Sequence, residues 1–276
     1  MNDRCDSGAK RGALFLDSGI GGIPYFRHFR ESNPGIPCAY LADRAHFPYG
    51  GREGAELRAI LLELVNKIIT IINPEIIVLA CNTASIAALG ALREAFPALP
   101  FVGTVPAVKP ATAASKSGKV CVLGTEFTVS ESCLSDFKAL YENSEIIGMA
   151  APELVRFVEN SMASADENAR RQMARSYLQR MRAQGIDALV LGCTHFLLLL
   201  DEFKAEARPD ITVFESVRGI SSRVEFLLKE ARGESARTET PPAQGKIFLT
   251  GGAPPEPSWA ALAQALGCGL SLLEPE

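Results

Sequence analysis

The stretches VLACNTAS (78–85) and LVLGCTHF (189–196) each set a cysteine just beyond an apolar run, followed at once by residues bearing amides, hydroxyls or an imidazole. A free thiol titrates near about 8.5 and is lowered by a helix N-terminus or a cationic neighbour. One such cysteine can therefore act as a base while a protonated partner acts as the acid. Cys81 is followed by Asn82, Thr83 and Ser85, and Cys193 by Thr194 and His195, polar where a core strand would stay apolar. Two thiols in matching settings suggest removal of a proton from one face of a carbon and delivery of another to the opposite face, which inverts a stereocentre. That chemistry needs the sulfurs on either side of one small molecule, on the order of 7 to 8 Å apart, two near-attack distances end to end.

The remaining cysteines carry no such expectation. Cys5, Cys38, Cys121, Cys133 and Cys268 lack a polar cluster beside them in the sequence and read as small apolar fillers. Seven cysteines, an odd count without regular spacing, argue for reduced thiols rather than a disulfide framework. No Cys-x-x-Cys pair occurs and the three histidines are His28, His46 and His195, so a metal site has little to build with. His28 reads as a helix-surface residue, whereas His195 stands beside a thiol. DSGIGG (17–22) invites a dinucleotide reading, but Pro24 occupies the third glycine position and no Gly-Lys-Ser/Thr follows. What is left is a tight strand-to-helix turn presenting Asp17 and Ser18, a carboxylate and a hydroxyl suited to a small polar ligand.

The elements that must position these groups alternate along the chain. Apolar runs at 13–17, 38–42, 75–80, 119–123, 145–149, 187–191, 211–214 and 246–250 have the β-branched and leucine content of strands buried on both faces of a parallel sheet. Between them, Leu57, Ile60, Leu61, Leu64, Ile68 and Ile72 recur at helical spacing. Ser164 to Glu167 has the form of a capping box, opening a helix that Gly185 would close. Asp17 and Cys81 are separated by roughly as many residues as Thr125 and Cys193, so the chain reads as two similar halves. The expected fold is α/β: two pseudo-symmetric, doubly wound α/β domains with parallel-rich sheets and an active-site cleft between them. In such sheets ligands bind beyond the carboxyl ends of the strands, where Asp17, Cys81, Thr125 and Cys193 all fall.

Bulk composition narrows the partners. At 276 residues and 47% hydrophobic the chain can bury a full core, and its 28 basic and 32 acidic residues are scattered without a basic stripe. Nucleic acid and membrane surfaces are therefore not expected as partners. The most apolar stretch, Leu57 to Ile77, is broken by Glu63, Asn66, Lys67, Asn73 and Pro74, against a membrane span. The polar N-terminal dozen residues lack the apolar run of a signal peptide and read as a frayed tail on a cytoplasmic protein. Residues 231–246, with their Pro-Pro pair, read as a surface loop.

DSGIGG (17–22), LADRAHFPYGGRE (41–53), VLACNTAS (78–85), GTVPAVKPA (103–111), VLGTEFTV (122–129), PELVRFVE (152–159) and VLGCTHFLLL (190–199) follow the order and spacing of bacterial glutamate racemases, which the chain thus resembles over nearly its whole length. The resemblance implies an isomerase that interconverts L- and D-glutamate without a cofactor, supplies D-glutamate for peptidoglycan, and admits a homodimer. It matches Cys81 and Cys193 to the family's acid/base pair, each serving one enantiomer. It matches Asp17, Asp43, Glu159 and His195 to groups assisting proton transfer. Substrate contacts carried over are Asp17-Ser18, Tyr49-Gly50, Asn82-Thr83, Thr125 and Thr194-His195. It further implies a first lobe of residues 1–105 plus 215–276 and a second of 106–214. Arg44, Ala151 and Leu197 depart from the family's usual residues, and Arg44 would add positive charge near the cleft.

Other readings share some of these features. Aspartate racemase, hydantoin racemase and maleate isomerase would carry the paired cysteines, but the Asn-Thr-Ala-Ser and Pro-Tyr-Gly stretches favour glutamate. A two-lobed amino-acid-binding protein would close on the same ligand yet has no use for symmetric thiols. A redox role is disfavoured for two thiols that a substrate must separate.

Overall fold

A computed structural model describes residues 12–232, 245–252 and 254–273. The expected N-terminal tail and most of the 231–246 loop lie outside the described residues, as does Cys5. The first part of the chain runs β1 (Ala13–Asp17), α1 (Ile23–Ser32), β2 (Cys38–Ala42), α2 (Gly54–Ile72), β3 (Ile76–Leu79), α3 (Asn82–Ala95) and β4 (Phe101–Gly103). There follow α4 (Val108–Ala114), β5 (Lys119–Gly124), α5 (Glu131–Leu140), β6 (Glu145–Ala150), α6 (Pro152–Asn160), α7 (Glu167–Ala183), β7 (Ala188–Leu191), α8 (Leu200–Ala207) and β8 (Thr212–Phe214). The last elements are α9 (Val217–Arg232), β9 (Gly245–Thr250), α10 (Pro257–Ala265) and β10 (Cys268–Leu273).

Two all-parallel sheets result. One has the order β10-β9-β2-β1-β3-β4 and the other β6-β5-β7-β8. The run β2-β1-β3-β4 and the run β6-β5-β7-β8 are the same winding used twice, which is the repeat expected from the spacing of Asp17, Cys81, Thr125 and Cys193. In each, the strand order reverses beside the first strand, between β1 and β3 and between β5 and β7. The loops leaving those strand ends diverge to opposite faces and open a crevice there.

The strands are continuous apolar runs because both faces are covered. β1 is buried at all five positions and pairs with β2 (Ala13 opposite Cys38) and with β3 (Ala13 opposite Ile76). Phe26 and Phe29 of α1 pack on Phe15 with ring centroids 6.0 and 5.4 Å apart, filling one face of the first sheet. α2 covers the other with Leu57, Leu61, Leu64, Val65, Ile68 and Ile72, while Ile60 sits half-buried at the margin of the stripe. This helix stops where Asn73 takes a left-handed conformation, φ 50°. No helix among the described residues is long and apolar enough to cross a membrane.

At the level of single elements the expectations are only partly met. The cap of α7 is Asp166, whose side chain accepts from the Ala169 N–H at 2.7 Å, while the Ser164 hydroxyl turns back to the Ser161 carbonyl. Asp166 wins because a charged oxygen one residue from the helix meets the free amides better than a hydroxyl further out. Gly185 does close the helix, at φ +69°, with its N–H on Arg182 O and that of Ile186 on Met181 O. Two strands, β4 and β10, are not anticipated by the apolar runs: β4 is three residues long, and β10 is an edge strand diluted by Gly269 and Ser271.

Candidate active site

Cys81 and Cys193 occupy equivalent places, each in extended backbone one residue before a helical turn begins. Their φ/ψ pairs, −148°/122° and −134°/135°, are nearly the same. α3 therefore aims the amides of its first turn at the space around Cys81, and the 3₁₀ turn Thr194–Leu199 does so around Cys193. Both thiols line one cavity of about 610 Å³ between the two sheets, together with Ser18, Tyr49, Gly50, Asn82, Thr83, Thr125, Thr194 and His195. Of the residues matched by resemblance, Asp17, Asp43 and Glu159 do not line it: Asp17 and Asp43 are fully buried, and Glu159 lines a neighbouring cavity.

Cys193 is backed by an imidazole and a carboxylate in series. His195 Nδ1 stands 3.7 Å from the sulfur, and Nε2 stands 2.6 Å from Glu159 Oε1. Burial works against the imidazolium, but hydrogen bonding to Cys193 and to Glu159 outweighs it and holds His195 well above its usual range. Glu159 Oε1 also accepts the Ile20 N–H at 2.9 Å, so a carboxylate from α6 is tied to the turn that follows β1.

Cys81 has the opposite surroundings. Burial first, and the Asp17 carboxylate second, push its thiol well above the ordinary value, with amides of Ala84 and Thr83 pulling the other way. Asp17 is fully buried, which raises its own carboxyl to about 6 in spite of the nearby His195 and the Ser18 N–H at 2.6 Å. Its second oxygen accepts the Thr194 hydroxyl at 3.0 Å, a further link between the halves.

The cavity walls also offer donors for carboxylates. The hydroxyls of Thr83, Thr125 and Thr128 form a cluster across the two halves, at 3.1, 3.4 and 3.0 Å from one another. Asn82 is buried on the cavity wall with its side-chain oxygen unpartnered, an unmet hydrogen bond that a ligand would satisfy. Glycine is required where the halves meet: a Cβ on Gly50 would lie 2.7 Å from Thr125 Cγ2.

Sequence reasoning missed several cavity residues. Phe47, Glu126, Val155, Arg156 and Asn160 also line the cavity, and of these Arg156 and Glu126 are charged. Their positions on α6 and after β5 follow only from how the halves face each other. His46 was also missed; its Nδ1 is 2.8 Å from Asp43 Oδ2. Arg44 does not face the thiols: it lines a neighbouring cavity of about 520 Å³ and pairs with Glu256 at 3.3 Å. Ala151 and Leu197 are buried packing residues. Cys38 and Cys121 are buried fillers whose thiols burial pushes up to about 12. Cys133 and Cys268 are half-buried, and Cys268 has a polar partner after all, Arg30 Nη1 at 3.1 Å.

Residues 36–220 match the family model described as Asp/Glu/Hydantoin racemase. A glutamate racemase from Roseiflexus sp. (strain RS-1) is 39% identical over 226 residues, covering 82% of each chain, and one from Sphingopyxis alaskensis is 37% identical over 78% of this chain and 81% of its own. The chain belongs to the Asp/Glu/hydantoin racemase family, among its glutamate racemases. This racemase also superposes on the crystal structure of the Escherichia coli glutamate racemase with a TM-score of 0.81 at 28% identity, covering 96% of this chain and 98% of that one. That protein was solved with L-glutamate and the activator UDP-MurNAc-Ala. For a Bacillus anthracis glutamate racemase the TM-score is 0.78, also at 28% identity, covering 96% and 97%. The two-lobed α/β fold of this racemase is thus that of its family.

Proposed function

We propose that this racemase interconverts L- and D-glutamate by proton transfer between Cys81, Cys193 and the substrate α-carbon, without a cofactor. The observation that carries the reading is the placement of both thiols at equivalent strand ends of two repeated sheets, lining one cavity. With His195 as an imidazolium, Cys193 is the natural base for one enantiomer, while Cys81, held protonated by burial and Asp17, is the acid that completes the inversion. The planar intermediate between the two transfers carries extra negative charge on its α-carboxylate, which the amides opening α3 and the threonine hydroxyls would stabilise. The substrate ammonium is assigned to Ser18 and the unpartnered Asn82 oxygen. Asp17 and Glu159 act through Thr194 and His195, from the second layer.

Packing supports dividing the chain into 1–105 plus 215–276 and 106–214: α4 packs on β5, β7 and β8, and α9 packs on α1, β3 and β4. Kinship with glutamate racemases supports a cytoplasmic role in supplying D-glutamate for peptidoglycan.

The deciding experiment follows loss of optical activity and α-carbon deuterium uptake in heavy water. The parent protein is expected to racemise and exchange glutamate, and Cys81→Ser and Cys193→Ser each to lose nearly all racemisation of both enantiomers, because inversion needs acid and base together. Retention of most activity in either variant defeats the two-thiol scheme, and turnover of aspartate alone defeats the substrate assignment.

A further inference from the structure

Asp43 is fully buried but does not reach the cavity, and both its oxygens are engaged by the loop around it. Oδ1 accepts the Thr250 hydroxyl at 2.6 Å and Oδ2 accepts the Tyr49 hydroxyl at 2.7 Å, while His46 Nδ1 stands 3.1 and 2.8 Å from the two. Thr250 Oγ1 in turn accepts the Ala45 N–H at 3.1 Å, so the end of β9 is bonded to both flanks of the Asp43–Ala45 turn. Arg52 Nε donates to the His46 carbonyl at 2.9 Å and closes the loop on itself. The Tyr49 hydroxyl is thereby turned away from the cavity while the residue itself walls it, and Gly50 is seated against Thr125 of the other half. With this many donors on it, Asp43 serves the loop rather than a thiol.

We propose that His46 and Thr250 are positioning residues for racemisation: acting through Asp43, they fix the Tyr49–Gly50 segment against Thr125 so that it can receive a substrate carboxylate. The proposal rests on reading the cavity as the glutamate site. Thr250→Val removes a hydroxyl at nearly constant volume, His46→Leu removes the ring nitrogens, and Tyr49→Phe removes the phenol hydroxyl. Each is expected to raise KM for both enantiomers about tenfold while kcat changes by less than about threefold, since a hydrogen bond holding a binding loop is lost and both thiols remain. Thr250→Ser and His46→Asn, whose amide stands where Nδ1 stood, are expected to bring KM back to within about twofold of the parent. Thr250→Val combined with Tyr49→Phe is expected to raise KM little beyond either alone, because the two act through one carboxylate.

A folded Thr250→Val or His46→Leu protein with parental KM overturns the proposal, as does a loss confined to kcat that the conservative variants do not rescue. Should Thr250→Val fail to fold, the His46 pair decides, because that side chain is partly exposed and tolerates exchange. Failure of the two-thiol reading is distinguishable, since it shows as turnover surviving Cys81→Ser. In that event equilibrium binding of glutamate to the same loop variants still reports on the loop.

Discussion

Gly19 offers the smallest perturbation that reaches the His195–Glu159 contact behind Cys193. A Cβ at Gly19 would lie 2.0 Å from Glu159 Oε1, 2.9 Å from its Cδ and 3.3 Å from His195 Nε2. The backbone there is not in the left-handed region, so alanine is conformationally acceptable, and the atom it strikes ends a flexible side chain. Glu159 swings aside, the fold survives, and the cost falls on the site. What is lost is the Ile20 N–H bond at 2.9 Å and the His195 bond at 2.6 Å. A hydrogen bond to a charged group contributes about 1.5–3 kcal/mol. If that support is felt in the transition state, Gly19→Ala lowers kcat/KM by about tenfold to a hundredfold. L- and D-glutamate have equal free energies in water, so kcat/KM must fall by the same factor in both directions; only kcat and KM taken singly can diverge. Circular dichroism followed from each enantiomer, with a thermal melt to show folding, measures all of this. A folded Gly19→Ala protein whose kcat/KM lies within about threefold of the parent refutes the reasoning, because it would mean that His195 does not depend on Glu159.

Other consequences follow from single groups. Burial raises the Asp17 carboxyl from 3.8 to about 6, so the native state binds a proton that the unfolded chain has already released. Stability from this group is complete below about pH 4 and is lost as pH rises through 6, by about 2–3 kcal/mol. Asp17→Asn is accordingly expected to raise the melting temperature at about pH 7.5, with the gain shrinking between about pH 6 and 4, while racemisation falls; a gain that does not fade on acidification would contradict the assignment. Gly185 stands at φ +69°, and a Cβ added there would meet no atom within 4 Å. Gly185→Ala therefore carries only the dihedral cost, about 1 kcal/mol in denaturant unfolding. An unchanged midpoint would show that the turn ending α7 relaxes instead.

How much of this is legible in the sequence depends on how far apart the partners lie. β1, β3, β5 and β7 are covered on both faces and so announce themselves as unbroken apolar runs, with the site residues at their ends. Cys193 and His195 are two positions apart, and a local turn is enough to join them. Ile20 and Glu159 are 139 positions apart, and Asp43 and Thr250 are 207 apart. The first pair meets only because the two halves face each other, and the second only because β9 returns beside β2. Nothing in local composition encodes either event. For the same reason Asp43 can be matched to the family by resemblance while its partners His46 and Thr250 pass unnoticed.

The repeat that makes the site legible also sharpens what is unequal about it. The two thiols share backbone conformation and topology, yet one has a carboxylate behind it and the other an imidazolium. A symmetric pair would let the proton rest on either sulfur with equal ease. Here burial and the Asp17 carboxylate push the Cys81 thiol up, while Cys193 faces the His195 ring. Under the proposed two-thiol scheme each turnover would move a proton onto one thiol and off the other, so unequal thiols would leave the protein in its preferred protonation form after one direction and in the other form after the reverse. Equal substrate energies forbid that bias from appearing in kcat/KM. It must emerge at saturation, as a difference in kcat between the enantiomers matched by an equal difference in KM. The linked lobes bear on the same step, because the Thr194–Asp17 and Glu159–Ile20 bonds join each thiol's supporting group to the opposite half. Separating the two halves to exchange product would break both bonds, so under the two-thiol scheme product release is expected to disturb the groups behind both thiols.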